Sequence, residues 1–377
     1  MTEITAITMP KWGLTMTEGK VLGWLKAEGD SYRAGEELLE IETTKITNVM
    51  EAGEAGTLRR IVAADGATLP VGGLLAVAAP ESVPDAEIAT FIAGFVAPEP
   101  EAADATDDSA VAPRDVDAGG QRLRVLDVGG DGGSGAAAIV FVHGFGGDLN
   151  GWMFNQPMLA ERWRTVALDL PGHGSSTKVL EGADEASFAA VIDQALAALR
   201  IDRVHIVGHS MGGGIALAFA NEQRERVASL TLIASAQLGA EINGAFINDF
   251  LRAQRRREVQ EALKLLVHDP AMVSRAMVEE VLRYKRLDGV QAALETIAAE
   301  WFPDGVQRVD NAVLVANLGV PVQLIWGRDD QIIPLAHAEA LAGKVPVHIL
   351  DDVGHLPHME KAGEVNRVIA AFIDAHP

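Results

Sequence analysis

The chain has 377 residues, 48% of them hydrophobic and 22% charged, a balance that supplies a substantial buried core and excludes a disordered or fibrous protein. Its formal net charge of −22 opposes binding to nucleic acid phosphates or anionic lipid, both of which call for clustered Lys and Arg. Cysteine is absent, which removes disulfides, thiolate metal sites and a cysteine nucleophile and matches the usage of a reducing cytoplasm. The opening MTEITAITMPKWGLTMTEGK lacks the basic start and apolar core of a signal peptide, and no window holds the roughly 18 uninterrupted apolar residues of a membrane span. A soluble, cytoplasmic chain of at least two domains is expected.

Residues 1–80 are short apolar runs (VLGWL, ELLEIE, LRRIV, GLLAVAA) separated by turn residues, which predicts an all-β domain. Within it LKAEGDSYRAGEELL at 25–39 recurs as VAADGATLPVGGLLA at 62–76, so that Gly29 matches Gly66, Gly35 matches Gly72 and Leu38 matches Leu75. Two copies are too few for a solenoid and predict two halves related by a pseudo-two-fold. EIETTKITNVMEA lies between the halves as a natural hairpin with Lys45 at its tip. An exposed lysine by itself signals only solubility.

The lysine between matching half-repeats, preceded by Glu42-Thr43-Thr44, resembles the lipoyl and biotinyl domain family, as does the run MPKWGLTMTEGKVLGWLKAEGD. The resemblance implies that Lys45 is modified. Biotinyl domains usually carry Met on both sides of the lysine; Thr44 and Ile46 stand here, so lipoate is the group implied.

Residues 81–117, rich in Pro, Ala and acidic side chains, read as a flexible linker that cannot offset its chain entropy by burial. The apolar patch IATFIAGFV at 88–96 is either a short helix docked on the first domain or simply that domain's end. From residue 118 the pattern becomes strand, turn and helix in repetition. AAIVFVHG, RTVALDLPG, VHIVGHS, LTLIAS, VPVQLIWG and VPVHILDDVG alternate with helical stretches such as SFAAVIDQALAALR, which predicts a mainly parallel sheet covered on both faces. Residues 237–315 break the rhythm and read as a helical cap. The run GGDGGSG at 129–135 reads as a hairpin turn, and neither H-E-x-x-H nor G-x-x-x-x-G-K-[ST] occurs, so no bound metal is expected.

After the apolar run RVHIV comes Gly208-His209-Ser210-Met211-Gly212 and then a small-residue helix. A G-x-S-x-G between strand and helix resembles the nucleophile elbow of α/β-hydrolases, with Ser210 as nucleophile. In that family the acid and histidine follow the serine in chain order. Downstream histidines are His268, His337, His348, His355 and His358; only His355 sits in a Gly-His turn directly after a strand, as in the family's histidine loop, and His358 is the weaker candidate. VQLIWGRDDQIIP offers Asp329 and Asp330, of which the family pattern selects Asp330, framed by Trp326 and Pro334. The resemblance also implies an oxyanion hole from the backbone N–H of Met211 and that of Phe145, in His143-Gly144-Phe145-Gly146-Gly147. It assigns structural roles to His143 and to His173 in the loop that begins at Asp169.

The whole chain resembles the dihydrolipoyllysine acetyltransferase components of acetoin dehydrogenase complexes. That family implies acetyl transfer from lipoyl-Lys45 to coenzyme A, with a thiamine-diphosphate-dependent enzyme and dihydrolipoyl dehydrogenase as partners, and leaves a homo-oligomer open. The alternatives are a serine hydrolase of an acyl ester or thioester that carries a lipoyl domain, and a lipoyl carrier with an inactive scaffold. The His-x-x-x-Asp-Gly motif of ordinary acyltransferase components is missing, since its nearest match, Tyr284 to Gly289, lacks the histidine, and no peripheral-subunit-binding domain is legible.

Overall fold

The computed structural model describes residues 4–10, 16–43, 47–96, 112–129 and 137–377. It divides into two compact units, residues 1–110 and 111–377.

In the first unit β1 (Thr5–Thr8), β2 (Glu18–Trp24), β3 (Ser31–Tyr32), β4 (Glu37–Glu42), β5 (Thr47–Glu51), β6 (Gly56–Ile61), β7 (Thr68–Pro70) and β8 (Leu74–Ala78) form two antiparallel sheets. Their orders are β1-β8-β6-β3 and β5-β4-β2-β7, the same arrangement with the halves exchanged. The repeat explains this symmetry. Gly29 and Gly66 take φ of +96° and +85°, and Gly35 and Gly72 take +84° and +79°, a left-handed region that disfavours other residues. Each matched pair makes the same bond: Gly29 N–H donates to Leu58 O and Gly66 N–H to Val21 O, while Gly35 N–H donates to Ala52 O and Gly72 N–H to Met9 O. Leu38 and Leu75 are both buried in the core between the sheets, with Val21, Ile41 and Leu58.

Part of the expected linker is ordered. A helix, Asp85–Gly94, buries Ile88 against Leu74, Val77, Ala79 and Val83, and Phe91, Ile92 and Phe95 pack on the same cluster. Residues 88, 91, 92 and 95 follow the spacing of one helix face. Arg59 ties the helix start down by donating to Pro80 O and Val83 O and pairing with Asp85 at 2.9 Å. Residues 97–111 lie outside the described residues.

The second unit is built on an eight-stranded sheet of β9 (Arg114–Ala118), β10 (Gln121–Val128), β11 (Ala138–Val142), β12 (Thr165–Leu168), β13 (Val204–His209), β14 (Val227–Ile233), β15 (Val322–Gly327) and β16 (Val347–Leu350). Its order is β9-β10-β12-β11-β13-β14-β15-β16. The pairs from β12 through β16 are parallel, and β9, β10 and β12 run antiparallel at one edge. The sheet thus begins at Arg114, inside the segment read as linker. The strands on either side of the glycine run at 129–135, β10 and β11, are not paired with each other, because β12 lies between them. Residues 130–136 themselves lie outside the described residues.

The parallel strands are buried on both faces, which is why they read as unbroken apolar runs. Val140, Val142 and Ile206 point to a layer with Phe188, Ile192 and Ile215, from helices Glu185–Ala198 and Met211–Glu222. Ile139, Phe141 and Val207 point the other way, to Trp152, Leu159, Ile369 and Ile373. Between β14 and β15 lie helices Gly244–Arg252, Arg256–Lys264, Arg275–Lys285, Val290–Trp301 and Ala312–Ala316, within the span read as a cap. No helix among the described residues is long and apolar enough to cross a membrane.

Candidate active site

The loops after β11, β12, β13, β15 and β16 carry His143, Asp169, Ser210, Asp330 and His355, all at the carboxyl end of the parallel sheet, where open α/β sheets place their ligands. Ser210 joins β13 to the helix Met211–Glu222 with φ 53° and ψ −121°, a conformation outside the helical and extended regions. Glycines make that turn possible. A Cβ at Gly208 would run into the Gly212 carbonyl, and one at Gly212 into the carbonyl oxygens of Val142 and His143. The turn is fixed by the Ser210 N–H donating to Ile233 O at 3.0 Å and by the Ser210 carbonyl accepting from Gly213 and Ala236, each at 2.9 Å.

Ser210, His355 and Asp330 form one hydrogen-bonded chain. His355 Nε2 lies 3.0 Å from Ser210 Oγ, and His355 Nδ1 lies 2.8 Å from Asp330 Oδ2. The second Asp330 oxygen accepts from the N–H groups of Ile332 and Ile333 at 2.8 and 3.0 Å, so the carboxylate is held at both ends. All three residues are brought together from loops 145 and 25 positions apart in sequence. The arrangement can deprotonate a hydroxyl and hold the resulting imidazolium. Asp329, the other acid of the pair, points elsewhere and contacts His268 at 2.9 Å.

The Gly144 backbone lies against Ser210: a Cβ there would stand 3.0 Å from that of the serine. This brings the Phe145 loop beside the start of the helix at Met211. Among the described residues neither the Phe145 nor the Met211 N–H donates to a protein acceptor. His143 is committed to the scaffold. Its Nδ1 lies 2.8 Å from Gly144 O, its Nε2 accepts from Leu170 N–H at 3.0 Å, and burial lowers its pKa. His173 is fully buried with Nδ1 against Pro171 O, and burial holds it well below the ordinary histidine value.

Four features of the site carry no sequence signal of their own. His209 donates from Nε2 to the carbonyl of His355 at 2.8 Å, and burial, followed by the proximity of His358 and His355, keeps it neutral. His358 is packed between His209 and Trp152, with ring centroids 4.5 and 4.6 Å away, and burial pushes its pKa down to about 3. Burial, reinforced by Asp169, raises Asp148 to about 6. Glu360 braces the histidine loop through its backbone. Each depends on contacts across the fold rather than on a local motif.

Lys45 lies outside the described residues. On either side of it β4 and β5 pair antiparallel, with Glu42 opposite Thr47.

Residues 137–362 match the family model of the alpha/beta hydrolase fold, and residues 5–77 match that of biotin-requiring enzymes, which groups biotinyl and lipoyl domains. Over 381 aligned residues the chain is 43% identical to the dihydrolipoyllysine-residue acetyltransferase component of the acetoin cleaving system of Pseudomonas putida, covering 100% of both chains. It is also 43% identical to the same component of Cupriavidus necator, over 97% of this chain and 96% of the relative. A meta-cleavage product hydrolase from Pseudomonas fluorescens IP01 superposes with a TM-score of 0.63 at 22% identity, over 70% of this chain and 98% of that one, a likeness of fold. The hydrogen-bonded serine, the half-repeat symmetry and identity spread over the full length agree: the chain belongs to the family of dihydrolipoyllysine-residue acetyltransferase components of acetoin cleaving systems.

Proposed function

We propose that this protein transfers an acetyl group from a lipoyl arm at Lys45 to coenzyme A, using Ser210 as nucleophile, His355 as base and acid, and Asp330 to orient and balance His355. The single observation that carries the reading is the Ser210, His355 and Asp330 chain of hydrogen bonds in a protein 43% identical, end to end, to acetyltransferase components. A lipoyl group on Lys45 supplies a thiol that carries acetyl as a thioester.

A serine hydroxyl is a weak nucleophile at neutral pH, and the residues around Ser210 answer that. His355 Nε2 takes the Oγ proton as Oγ attacks a thioester carbonyl; the C–S bond then breaks, and His355 returns the proton to the departing sulfur. Asp330 holds Nδ1–H toward itself and stabilises the imidazolium. The N–H groups of Met211 and Phe145 meet the oxyanion, a contribution of about 2.7–4 kcal/mol for each donor. In the second half His355 takes the proton of the coenzyme A thiol, sulfur attacks the Ser210 ester, and Oγ recovers its proton. Both halves use one set of groups in opposite directions.

The relatives are named as components of acetoin cleaving systems, and we assign this chain to such a complex, with a thiamine-diphosphate-dependent enzyme charging the arm and dihydrolipoyl dehydrogenase reoxidising it. The test is a covalent intermediate. Mixed with S-acetyldihydrolipoamide in the absence of coenzyme A, the protein should gain one acetyl group on the Ser210 peptide, and coenzyme A should discharge it. A chain that never acquires acetyl at Ser210 while still forming acetyl-CoA would contradict the serine mechanism.

A further inference from the structure

The loop that carries His355 is held from outside itself. Its N–H groups on both sides of the histidine, those of Gly354 and Leu356, donate to the same oxygen of Glu360, at 2.9 and 3.2 Å. The other Glu360 oxygen accepts from the N–H of His268, at 2.7 Å. His268 belongs to the segment that follows the cap helix Arg256–Lys264, so one carboxylate joins the catalytic loop to the cap. The same segment touches the site twice more. Leu266 O accepts from the N–H of His355 itself at 2.8 Å, and the His268 ring lies 2.9 Å from Asp329, the neighbour of Asp330. The packing is close, since a Cβ at Gly354 would stand 2.8 Å from His268 N and from the Val267 carbonyl carbon.

We propose that Glu360 is a positioning residue for acyl transfer, fixing the His355 ring against Ser210 by tying the backbone on both sides of His355 to the cap segment at His268. The inference rests on the reading of Ser210, His355 and Asp330 as the transfer machinery. Its physical basis is that one carboxylate offers four lone pairs to three converging donors and no neutral side chain of the same size does. Glutamine keeps one acceptor oxygen and turns an NH2 toward whichever donors remain. Either the loop around His355 or the cap link at His268 is then faced by a donor, and the His355 ring loses its fixed distance to Ser210 Oγ. A misplacement of about 1 Å, even from a change far from the reacting atoms, can cost on the order of 100-fold in rate.

The experiment measures the rate constant for labelling of Ser210 by a fluorophosphonate in the full-length protein, wild type against Glu360→Gln. That constant reads the activation of Oγ per folded molecule and is unaffected by the fraction folded, so a merely structural role does not move it. It should fall by about 10- to 100-fold in Glu360→Gln. The downfield proton resonance of His355 Nδ1–H, shared with Asp330, should shift or broaden alongside it. Should Glu360→Gln not accumulate as folded protein, Glu360→Asp, with the carboxylate drawn back by one methylene, is read in the same way with the same expectation. Wild type labelled at Ser210 and a folded variant labelled equally fast, with the resonance unmoved, overturns the proposal alone. Wild type not labelled at Ser210 overturns the underlying reading and the proposal with it.

Discussion

Asp330 faces His355 Nδ1 with one carboxylate oxygen at 2.8 Å and gives the other wholly to the backbone, to the N–H groups of Ile332 and Ile333. A carboxylate oxygen accepts, so Nδ1 carries the proton toward Asp330 and Nε2 is left to accept from Ser210. Asparagine at this position keeps an oxygen for the two N–H groups and presents an NH2 to His355, which selects the wrong tautomer. Asp330→Asn should fold normally and lose on the order of 10⁴-fold in kcat for acetyl transfer, as a triad with a reversed histidine tautomer does. Asp329→Asn, which alters only the exposed contact to His268, should lose far less.

The elbow makes a steric prediction. Gly212 packs on the carbonyl oxygens of Val142 and His143, so Gly212→Ala must push the helix Met211–Glu222 away from β11 or strain the turn at Ser210. Stability should fall by about 1–3 kcal/mol, the usual cost of overpacking, and be read by urea denaturation. Activity per folded molecule should fall as well, because the same displacement moves the Met211 N–H.

Buried neutral histidines set the acid limit of the fold. His358 is pushed down to about 3 and His205 to about 4, in both cases chiefly by burial, while an unfolded chain titrates these rings near the ordinary value. The folded pKa is the lower one, so the unfolded state binds more protons as pH falls below about 6.5, and stability is present above that pH and lost on acidification. Replacing His358 by Phe removes one such proton. Between pH 6 and pH 4 the slope of unfolding free energy against pH should be shallower by about 1.4 kcal/mol per pH unit in His358→Phe than in wild type. Equal slopes would mean that His358 is charged in the folded protein.

The arm and the enzyme should separate cleanly by mutation. Lys45→Arg should remove the lipoyl increment from the intact mass of protein made in a lipoylating host, while transfer from free S-acetyldihydrolipoamide continues at the wild-type rate. Loss of that free-substrate activity would show that Lys45 does more than carry the group.

Much of this architecture is legible before any coordinates. The half-repeat places four glycines at positive φ in matched turns, and G-x-S-x-G between strand and helix marks Ser210, because both are local devices with few alternatives. Asp330 and His355 depend on resemblance, since a lone acid or histidine after a strand has no distinctive spacing. The edge hairpin is concealed by its own chemistry. Val116, Leu123 and Val125 are buried, but Asp115 pairs with Arg122 and Arg124 at 3.0 and 3.1 Å on the other face, and alternating charge at the border of an acidic stretch reads as linker. His209 and Glu360 are illegible for another reason. Their partners are the backbone of the His355 loop and, for Glu360, a cap residue 92 positions away, pairings that exist only once the sheet has assembled.

The most direct test of the central claim follows the fate of S-acetyldihydrolipoamide mixed with the purified protein, with and without coenzyme A, recording acetyl-CoA and free acetate separately. Acetyl-CoA as the main product, abolished in Ser210→Ala, is the predicted result. Acetate released at the same rate whether or not coenzyme A is present would contradict it and identify a hydrolase that carries a lipoyl domain.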